Sequence, residues 1–254
     1  MSLHQSRRAF LAMTSATFLA RPASAESVTN AYRAQHFYVY LERFIRLDPG
    51  LRDRFVIAYY ALLGGVPATG VEVTLSSGGK SFPVPIGADG RVGLLPSLQD
   101  LHSNATVKVR GPKGGVFSTE LKVHPRVPPA QDISADELRQ SLRQLSQAAK
   151  AAAGPLASLF PFLIPKFDKA LFSGVTDGQA ISNDNRVSAL KLYSGEPQLF
   201  DGEPYFDLNG PDDVKRLRFS RAPTSINLRP SIAARALAKI TLGNPGEPHL
   251  PPGA

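Results

Sequence analysis

The stretch Arg54–Pro125, which begins RFVIAYYALL, decides the fold that the sequence predicts. It contains six short runs rich in apolar and β-branched residues, each of strand length: RFVIAYYALL (54–63), VEVTLS (71–76), KSFPVPI (80–86), RVGLLP (91–96), ATVKVR (105–110) and GVFSTELKV (115–123). Glycine-rich turns separate the runs, as at Gly64-Gly65, Ser77-Gly78-Gly79, Ala88-Asp89-Gly90 and Gly111-Pro112-Lys113-Gly114-Gly115. Short strands at this spacing, joined by such turns, are typical of an antiparallel sandwich or barrel.

The composition excludes several classes of protein. There is no cysteine among the 254 residues, so disulfides, thiolate metal sites, a cysteine nucleophile and a lipid-modified cysteine anchor are excluded. The net charge is +8, and three of these charges belong to Arg7, Arg8 and Arg21 in a leader without acids, which leaves +5 for the remainder. This surplus suits contact with an anionic surface, but it is too small to predict a nucleic-acid-binding protein.

The first 25 residues have the three parts of an export signal. A basic start, Ser6-Arg7-Arg8-Ala9-Phe10-Leu11, precedes the short apolar run AMTSATFLA, and Ala23-Ser24-Ala25 supplies an Ala-x-Ala cleavage site. The order of the serine, the two arginines, the phenylalanine and the leucine resembles the twin-arginine export signal, whose substrates cross the membrane already folded. We expect cleavage after Ala25 and a soluble periplasmic protein. An uncleaved anchor is the alternative, but the apolar run is short for a bilayer span.

A helix is predicted ahead of the first strand. Thr29 or Asn30 can cap it, and it runs through AYRAQHFYVYLERFIRL, with one apolar face made by Phe37, Leu41, Phe44 and Ile45. The sequence Asp48-Pro49-Gly50 ends it, because proline cannot continue a helix. Five of the seven tyrosines precede residue 61. We expect these rings to pack the helix against the first strand, and a ligand pocket lined by them is the alternative.

The glycine-rich turns also carry a family resemblance. The Gly-x-Pro turn at Gly65-Val66-Pro67, the alternating strand after it and the hairpin Ala88-Asp89-Gly90-Arg91 resemble the carboxypeptidase-regulatory-like or transthyretin-like sandwich domains of exported proteins. Asp-Gly suits a tight hairpin because glycine accepts positive φ. The resemblance covers about residues 64–125. A wider likeness is to uncharacterised exported proteobacterial proteins, and neither likeness implies a catalytic activity.

The second half of the chain begins with a helix. A proline-rich connector ends at Ala130, and Ser134-x-x-Glu137 is a capping box that predicts a helix with the stripe Leu138, Leu142, Leu145 and Ala149, ended by Gly154-Pro155. The next run, LASLFPFLIPKFDKALF (156–172), is the most apolar of the mature chain, and its prolines divide it into short pieces. It either fills the space between two β regions or contacts an apolar ligand or lipid, and the side chains predicted for that contact are Phe160, Phe162, Leu163 and Phe167.

Strand patterns return after Gly174, in QAISN, RVSALKLY, EPQLF and VKRLRFS. In the last of these, Leu217 and Phe219 alternate with polar residues, which predicts a half-buried strand with a basic outer face. That face is the predicted contact with an anionic surface, and its residues are Lys215, Arg216, Arg218 and Arg221. A final helix is predicted to start at Ser231 and end at Leu242. The tail 243–254 is rich in proline, and we expect it to be disordered.

Motifs that would carry catalysis or metal binding have simpler interpretations. The five histidines are isolated, without the spacing that places two ring nitrogens on one metal. Ser77-Gly78-Gly79-Lys80 matches the Ser-x-x-Lys pattern of serine acyl-transferases, but its glycines predict a hairpin turn. The segment Gly111–Gly115 predicts a second hairpin turn rather than an anion site. The oxygen-rich stretch from Asp201 to Asp213 leaves a calcium site or a hydrolase as alternatives to turn formation.

The sequence therefore predicts a mainly β, α+β protein with an N-terminal helix and antiparallel β-sandwich (26–130), a helical apolar connector (131–173) and a smaller C-terminal β region (174–242). We expect a non-catalytic periplasmic binding or envelope-associated protein, without a cofactor, whose partner is an envelope protein or an apolar ligand. A protein that binds the membrane surface through segment 156–172 and strand 215–221 is the main alternative. A hydrolase that uses the acids of 201–213 is the third.

Overall fold

Strands dominate the structure. The computed structural model describes residues 27–153, 166–194 and 201–230, and in these residues about 44% lie in strands and 20% in helices. All strand pairs are antiparallel, which confirms a mainly β fold with antiparallel sheets. Several predicted features lie outside the described residues, namely the predicted leader 1–25, the residues Phe160, Phe162 and Leu163, the predicted strand 196–200, the predicted helix from Ser231 and the predicted tail 243–254. None of the helices in the described ranges is long and apolar enough to cross a membrane.

Two antiparallel sheets form the N-terminal half. The first has four strands, in the spatial order β1 (Ser27–Arg33), β6 (Thr106–Pro112), β4 (Glu72–Ser77) and β5 (Lys80–Pro83). The second has three strands, in the order β3 (Val66–Pro67), β2 (Phe55–Leu63) and β7 (Phe117–Pro125). Side chains of both sheets belong to one apolar cluster, with Val73, Leu75, Val107 and Val109 from the first sheet and Tyr59 and Ala61 from the second.

The single helix predicted between Thr29 and Leu47 is not found. Residues Ser27–Arg33 form strand β1, which pairs with β6 over its whole length. Two short helices follow, α1 (Ala34–Phe37) and α2 (Leu41–Arg46), because Tyr40 between them has a left-handed backbone with φ +68°. The apolar spacing that predicts a helix is real, but strand pairing along β1 prevails over local helix propensity. A 3₁₀ turn (Pro49–Leu51) and helix α3 (Leu98–His102) complete the helices of this half.

Buried tyrosines pack the short helices against β2, as predicted. The rings of Tyr38 and Tyr59 are buried and meet edge to face, with centroids 5.2 Å apart. Their hydroxyls donate to backbone carbonyls, Tyr38 to Leu94 O at 2.9 Å and Tyr59 to Val39 O at 2.6 Å. Both rings and both hydroxyls are therefore used by the packing itself, since a buried hydroxyl needs a partner.

Of the two hairpin turns predicted at Ser77–Lys80 and Gly111–Gly115, the structure confirms the first and contradicts the second. Gly78 and Gly79 have positive φ and join β4 to β5, so the predicted hairpin at Ser77–Lys80 is confirmed. The segment Gly111–Gly115 is not the hairpin turn that the sequence predicts. It connects β6 to β7, and these strands belong to different sheets. The chain crosses here from one sheet to the other.

Two more antiparallel sheets form the C-terminal half. The first has the order β11 (Val187–Ala189), β10 (Gln179–Ser182), β14 (Val214–Arg218) and β8 (Asp132–Ser134). The second has the order β12 (Lys191–Leu192), β13 (Pro204–Asp207), β9 (Phe167–Ser173) and β15 (Ser225–Pro230). Leu217 and Phe219 are buried while Arg216, Arg218 and Ser220 are exposed, which confirms the half-buried strand with a basic outer face.

Helix α4 (Ala135–Ala153) packs across these sheets. Ser134 caps its first turn, because the Glu137 backbone N–H donates to Ser134 Oγ at 3.4 Å. Its apolar stripe is buried in a second cluster with residues of β9, β10, β14 and β15, and the buried members are Leu138, Leu142, Leu145 and Ala148. Ala149, which the sequence places in the stripe, is only half-buried, and Ala148 takes that position. The segment 131–173 thus contributes both α4 and β9 to a hydrophobic core.

Strands β2 and β7 belong to both cores. Tyr59 and Ala61, in the second half of β2, lie in the first cluster. Phe55, at the start of β2, and Val123, near the end of β7, lie in the second cluster, and Ile57 packs against both. The nine-residue ladder between β2 and β7 therefore connects the two halves mechanically.

Candidate functional site

One of the four predicted apolar contact residues lies in the described ranges. Phe167 is the first residue of β9, and it is half-buried against the second core. Its carbonyl accepts a hydrogen bond from Ser146 Oγ of helix α4 at 3.2 Å. Phe167 thus serves the packing between β9 and α4. Phe160, Phe162 and Leu163 lie outside the described residues.

The four predicted anionic-surface residues lie on or just after β14 and are exposed. Arg216 and Arg218 share one carboxylate, since their Nε atoms lie 3.4 and 3.1 Å from Asp132 Oδ1. Lys215 Nζ donates to Asn185 Oδ1 at 3.0 Å, and Arg221 Nη2 donates to Gly174 O at 2.6 Å. Each cation therefore has an internal partner, but two guanidiniums on one carboxylate leave this face positively charged.

The acids between Asp201 and Asp213 are dispersed. Asp207 Oδ1 accepts from the Asn209 backbone N–H at 2.9 Å, which is a turn contact, and Asp213 pairs with Arg186 at 3.1 Å. Among the described residues, no group of three His, Asp or Glu side chains is placed to hold a metal ion. Glu203 differs from the other acids of this stretch because its carboxylate belongs to a separate polar cluster.

That cluster lies where β7 of the N-terminal half runs beside β15 of the C-terminal half. We call it the seam cluster, and its residues are Tyr60, Glu120, Lys122, His124, Ser173, Glu203, Asn227 and Arg229. Arg229 Nη2 donates to Glu120 Oε1 at 3.0 Å, and Lys122 Nζ lies 3.5 Å from Glu120 Oε2. The side chains of these three residues are only 13–23% exposed. A half-buried ion pair thus joins the two halves across the seam.

A histidine also crosses the seam. His124 Nδ1 lies 2.9 Å from Ile226 O, and because a carbonyl can only accept, Nδ1 carries the hydrogen. Nε2 of the neutral ring is then an acceptor, and it receives the hydroxyl of Tyr60 at 3.2 Å. Burial lowers the pKa of His124, and the nearby charges of Arg91, Lys122 and Arg229 lower it further, against the opposing effect of the bond to Ile226. Burial and the nearby cations therefore favour neutral His124, and in that form Nδ1 donates to Ile226 while Nε2 accepts from Tyr60.

The C-terminal side of the seam holds two buried acceptor atoms. Asn227 Nδ2 donates to Ser173 Oγ at 3.0 Å, and the Ser173 side chain is also hydrogen-bonded to Glu203. Within the described residues, Asn227 Oδ1 and Glu203 Oε2 have no hydrogen-bond partner. Burial raises the pKa of Glu203, while Ser173, Arg229 and Lys122 act in the opposite direction. Charged and polar groups of the seam thus face one another, which suits a tie between two halves better than an open reaction site.

A different site lies at the open side of the N-terminal sheets. A small recess is found between them beside β1, lined by backbone and by apolar side chains, among them Val28, Leu63, Val71, Val109 and Phe117. Gly111 also lines it, in the inward register of β6, and a Cβ at this position would reach Val71 Cγ2 at 3.5 Å. Missing side-chain volume at Gly111 therefore contributes to the recess.

Three exposed valines either line this recess or are direct neighbours of residues that line it. Val66 pairs with Leu63 and is 62% exposed, and Val116, between Gly115 and Phe117, is 74% exposed. Val28, which lines the recess itself, is 39% exposed. The recess and Val28 form a small, partly apolar surface at one end of the N-terminal sheets.

Sequence reasoning missed both the recess and the seam. The seam had a signal, because Glu120, Lys122 and His124 alternate along β7 and give one polar face to a strand assigned to a core. The recess had no such signal in the sequence, because it exists only if β1 is a strand and if β6 and β7 lie in different sheets. Comparison with known proteins found no matching family model, no matching curated protein and no matching solved structure.

Proposed function

We propose that this chain is exported by the twin-arginine route, is cleaved after Ala25, and acts in the periplasm as a non-catalytic binding protein. The basic start with Arg7-Arg8, the short apolar run and the Ala-x-Ala site support export. In this proposal the N-terminal half is a β-sandwich that presents a binding surface, and the C-terminal half steadies it through β2, β7 and the seam cluster.

The observation that carries the binding role is the recess beside β1. It lies between the two N-terminal sheets, and Val28, which lines it, remains 39% exposed. Protein interiors are packed to the density of organic crystals, so a gap that opens to the surface beside exposed valines is a natural place for an apolar group of a ligand or partner.

A filling variant tests this role. Gly111→Leu places a side chain in the recess from an inward position of β6, where the first added carbon makes ordinary contact. Thr29→Leu is the matched control, because it adds the same side chain to the exposed outer face of the neighbouring strand β1.

Binding is measured with the apolar dye 1-anilinonaphthalene-8-sulfonate, which is followed by its fluorescence. We expect Gly111→Leu to weaken dye binding about tenfold or more, which is a loss of about 1.4 kcal/mol, and Thr29→Leu to leave it unchanged. Equal binding by both variants and the parent would refute the role of the recess.

The export step has its own test. Replacing Arg7 and Arg8 with lysine in the full chain, expressed in a bacterium that has the twin-arginine pathway, should leave the precursor in the cytoplasm. The unchanged chain should appear in the periplasmic fraction with its first residue at Glu26, as read by mass spectrometry. Periplasmic protein from the double-lysine variant, in equal amount, would contradict this route.

A second function is favoured by the exposed basic strand. Arg216 and Arg218 are 45% and 49% exposed, and with Lys215 and Arg221 they offer a positive face to anionic head groups. Sedimentation with phosphatidylglycerol vesicles at low salt tests it. Arg216→Gln with Arg218→Gln should abolish binding, whereas Arg43→Gln with Arg143→Gln removes the same charge at exposed positions elsewhere and should not. Absence of vesicle binding by the parent would exclude this function.

A further inference from the structure

The outer edge of β1 is open. In its sheet β1 has a strand neighbour on one side only, β6, within the described residues. Ala34 N donates to Ala105 O at 2.8 Å, and this pair fixes the alternation of hydrogen bonding along β1 and β6. Counting back from it, the backbone groups of Thr29, Ala31 and Arg33 point away from β6. A row of backbone donors and acceptors therefore faces outward from this edge.

The edge lacks the usual protection against a further strand. Natural edge strands are commonly shortened or carry proline, a bulge or a central lysine, because a bare edge accepts strands from other chains. β1 has seven residues in regular register with β6, no proline, and a single charge, Arg33, at its end. The strand is thus a suitable template for another extended segment.

The recess lies on the inner side of the same edge. Val28 and Asn30 of β1 point inward and line it. Side chains of a strand alternate between the two faces of a sheet, so a segment added beside β1 would place every second side chain toward the recess. The edge gives affinity through main-chain hydrogen bonds and the recess gives selectivity for apolar residues, as in known strand-addition interfaces.

The outer face of the sheet selects the other side chains of the added segment. Next to Thr29, Ala31 and Arg33 on this face lie Arg110 and Lys108 of β6, which are exposed. Glu72 of β4 offsets one of these charges, since its Oε2 lies 3.7 Å from Arg110 Nη1. The face is therefore basic, and acidic side chains at the outward positions of the added segment would complement it.

We infer that β1 accepts an extended peptide segment that alternates apolar and acidic residues, with the apolar residues toward the recess and the acidic ones toward Arg33, Lys108 and Arg110. This inference rests on the proposed binding function and names the class of its partner. A second copy of this chain fits less well. Antiparallel pairing of two β1 strands would place two basic faces side by side, and the inward residues of the second copy include the polar Asn30.

A proline at an outward backbone position tests the strand addition. Ala31→Pro removes an N–H that points to the open edge and leaves the ladder to β6 intact, which edge strands tolerate. Ser81→Pro is the matched control on β5, at the opposite edge of the same sheet. The two-residue turn at Gly78-Gly79 makes Ser77 and Lys80 a hydrogen-bonded pair, so the Ser81 N–H also points outward. Circular dichroism checks that both variants are folded.

The probe is a labelled seven-residue peptide of alternating valine and aspartate, the length of β1, and binding is followed by fluorescence anisotropy. We expect the parent and Ser81→Pro to bind it equally, and Ala31→Pro and Gly111→Leu to bind it about tenfold or more weakly. A valine–lysine peptide should bind at least about tenfold more weakly than the aspartate peptide at low salt, and the difference should shrink as salt screens the charges.

The outcomes separate this inference from the function on which it rests. Equal peptide binding by Ala31→Pro and the parent overturns the strand addition, and the recess function then stands if Gly111→Leu still blocks the dye. Failure of both peptide and dye to respond to Gly111→Leu overturns both. A dimer of the parent, seen in sedimentation equilibrium and lost in Ala31→Pro, would assign the edge to a second copy and overturn the peptide as its partner.

Discussion

The two cores of this protein are built by different means. The N-terminal core is assembled from alternating apolar residues of neighbouring strands, and its large polar side chains, Tyr38 and Tyr59, bind nearby backbone carbonyls. The C-terminal core places one helix, α4, against strands that range in sequence from β8, directly before it, to β15. It also buries charged or amide side chains, namely Arg139, Asp168 and Asn227. The first core depends on hydrophobic burial, and the second depends in addition on polar contacts that must be satisfied.

The largest effect should come from core leucines, and it tests whether the two cores unfold together. Leu101 in the first core and Leu142 in the second are both buried, and truncation of either to alanine should cost about 2–5 kcal/mol. Because β2 and β7 contribute to both cores, we expect each variant to shift one common transition in calorimetry. Two separate transitions, each moved by one substitution, would show that the cores are independent.

The next effect concerns the buried arginine of the C-terminal core. Arg139 of α4 donates through Nη1 to Val214 O at 2.7 Å and through Nη2 to Pro211 O at 3.1 Å, with its guanidinium over the ring of Phe206. Arg139→Met removes the donors to the buried carbonyl of Val214 and the partly buried one of Pro211, so we expect a loss of about 2–3 kcal/mol in denaturant unfolding.

Arg143, one turn further along α4 and exposed, supplies the matched control. Arg143→Met should change the free energy of unfolding by less than about 0.5 kcal/mol. If the two methionine variants are equally stable, polar contacts are not what distinguishes the second core from the first.

The contrast between the cores also explains which parts of the fold the sequence predicts. Alternation and glycine turns locate β2, β4 and β7, and the capping serine locates α4, because these signals are local. β1 was mistaken for a helix because the spacing of Phe37, Leu41 and Phe44 is helical, whereas its strand state depends on pairing with β6, more than seventy residues away. Non-local pairing leaves little trace in a short window of sequence.

The candidate sites, too, were predictable only where they depend on residues close together in sequence. The basic face of β14 was predicted correctly because it depends on alternation within one strand. The seam cluster unites β7 with β15, and contacts such as Arg229 to Glu120 join residues about a hundred positions apart. The recess depends on a residue without a side chain, Gly111, in an inward position. The seam cluster and the recess can therefore be recognised only once the tertiary structure is known.

The seam should make the stability of the protein sensitive to acid. The pKa of His124 is lowered in the folded state, so its neutral form adds stability above pH 6.5, the ordinary value, and that stability is lost as the pH falls from 6.5 through the lowered pKa. Protonation would also remove the acceptor that holds the Tyr60 hydroxyl.

The variant His124→Gln separates the contribution of this histidine to acid sensitivity from that of the other groups that titrate in acid. We expect the melting temperature of the parent to fall by more than that of the variant between pH 7 and pH 5, as followed by circular dichroism. His36→Gln, at an exposed position, is the control and should follow the parent. Parallel curves for His124→Gln and the parent would mean that the seam does not contribute to acid sensitivity.

The smallest effect on stability that we expect comes from Glu203, and its dependence on pH is opposite to that of His124. Burial raises the pKa of Glu203, so the cost of ionising it in the folded state appears as the pH rises from the ordinary value of 4.5 through the raised pKa. Glu203→Gln carries no such cost, because the amide is neutral throughout this pH range. The variant should therefore match the parent near pH 4 and be slightly more stable at pH 8, whereas Glu72→Gln, at an exposed position, should show no such divergence. A less stable Glu203→Gln at pH 8 would mean that Arg229 and Lys122 outweigh burial, and that the seam favours a charged carboxylate on both of its sides.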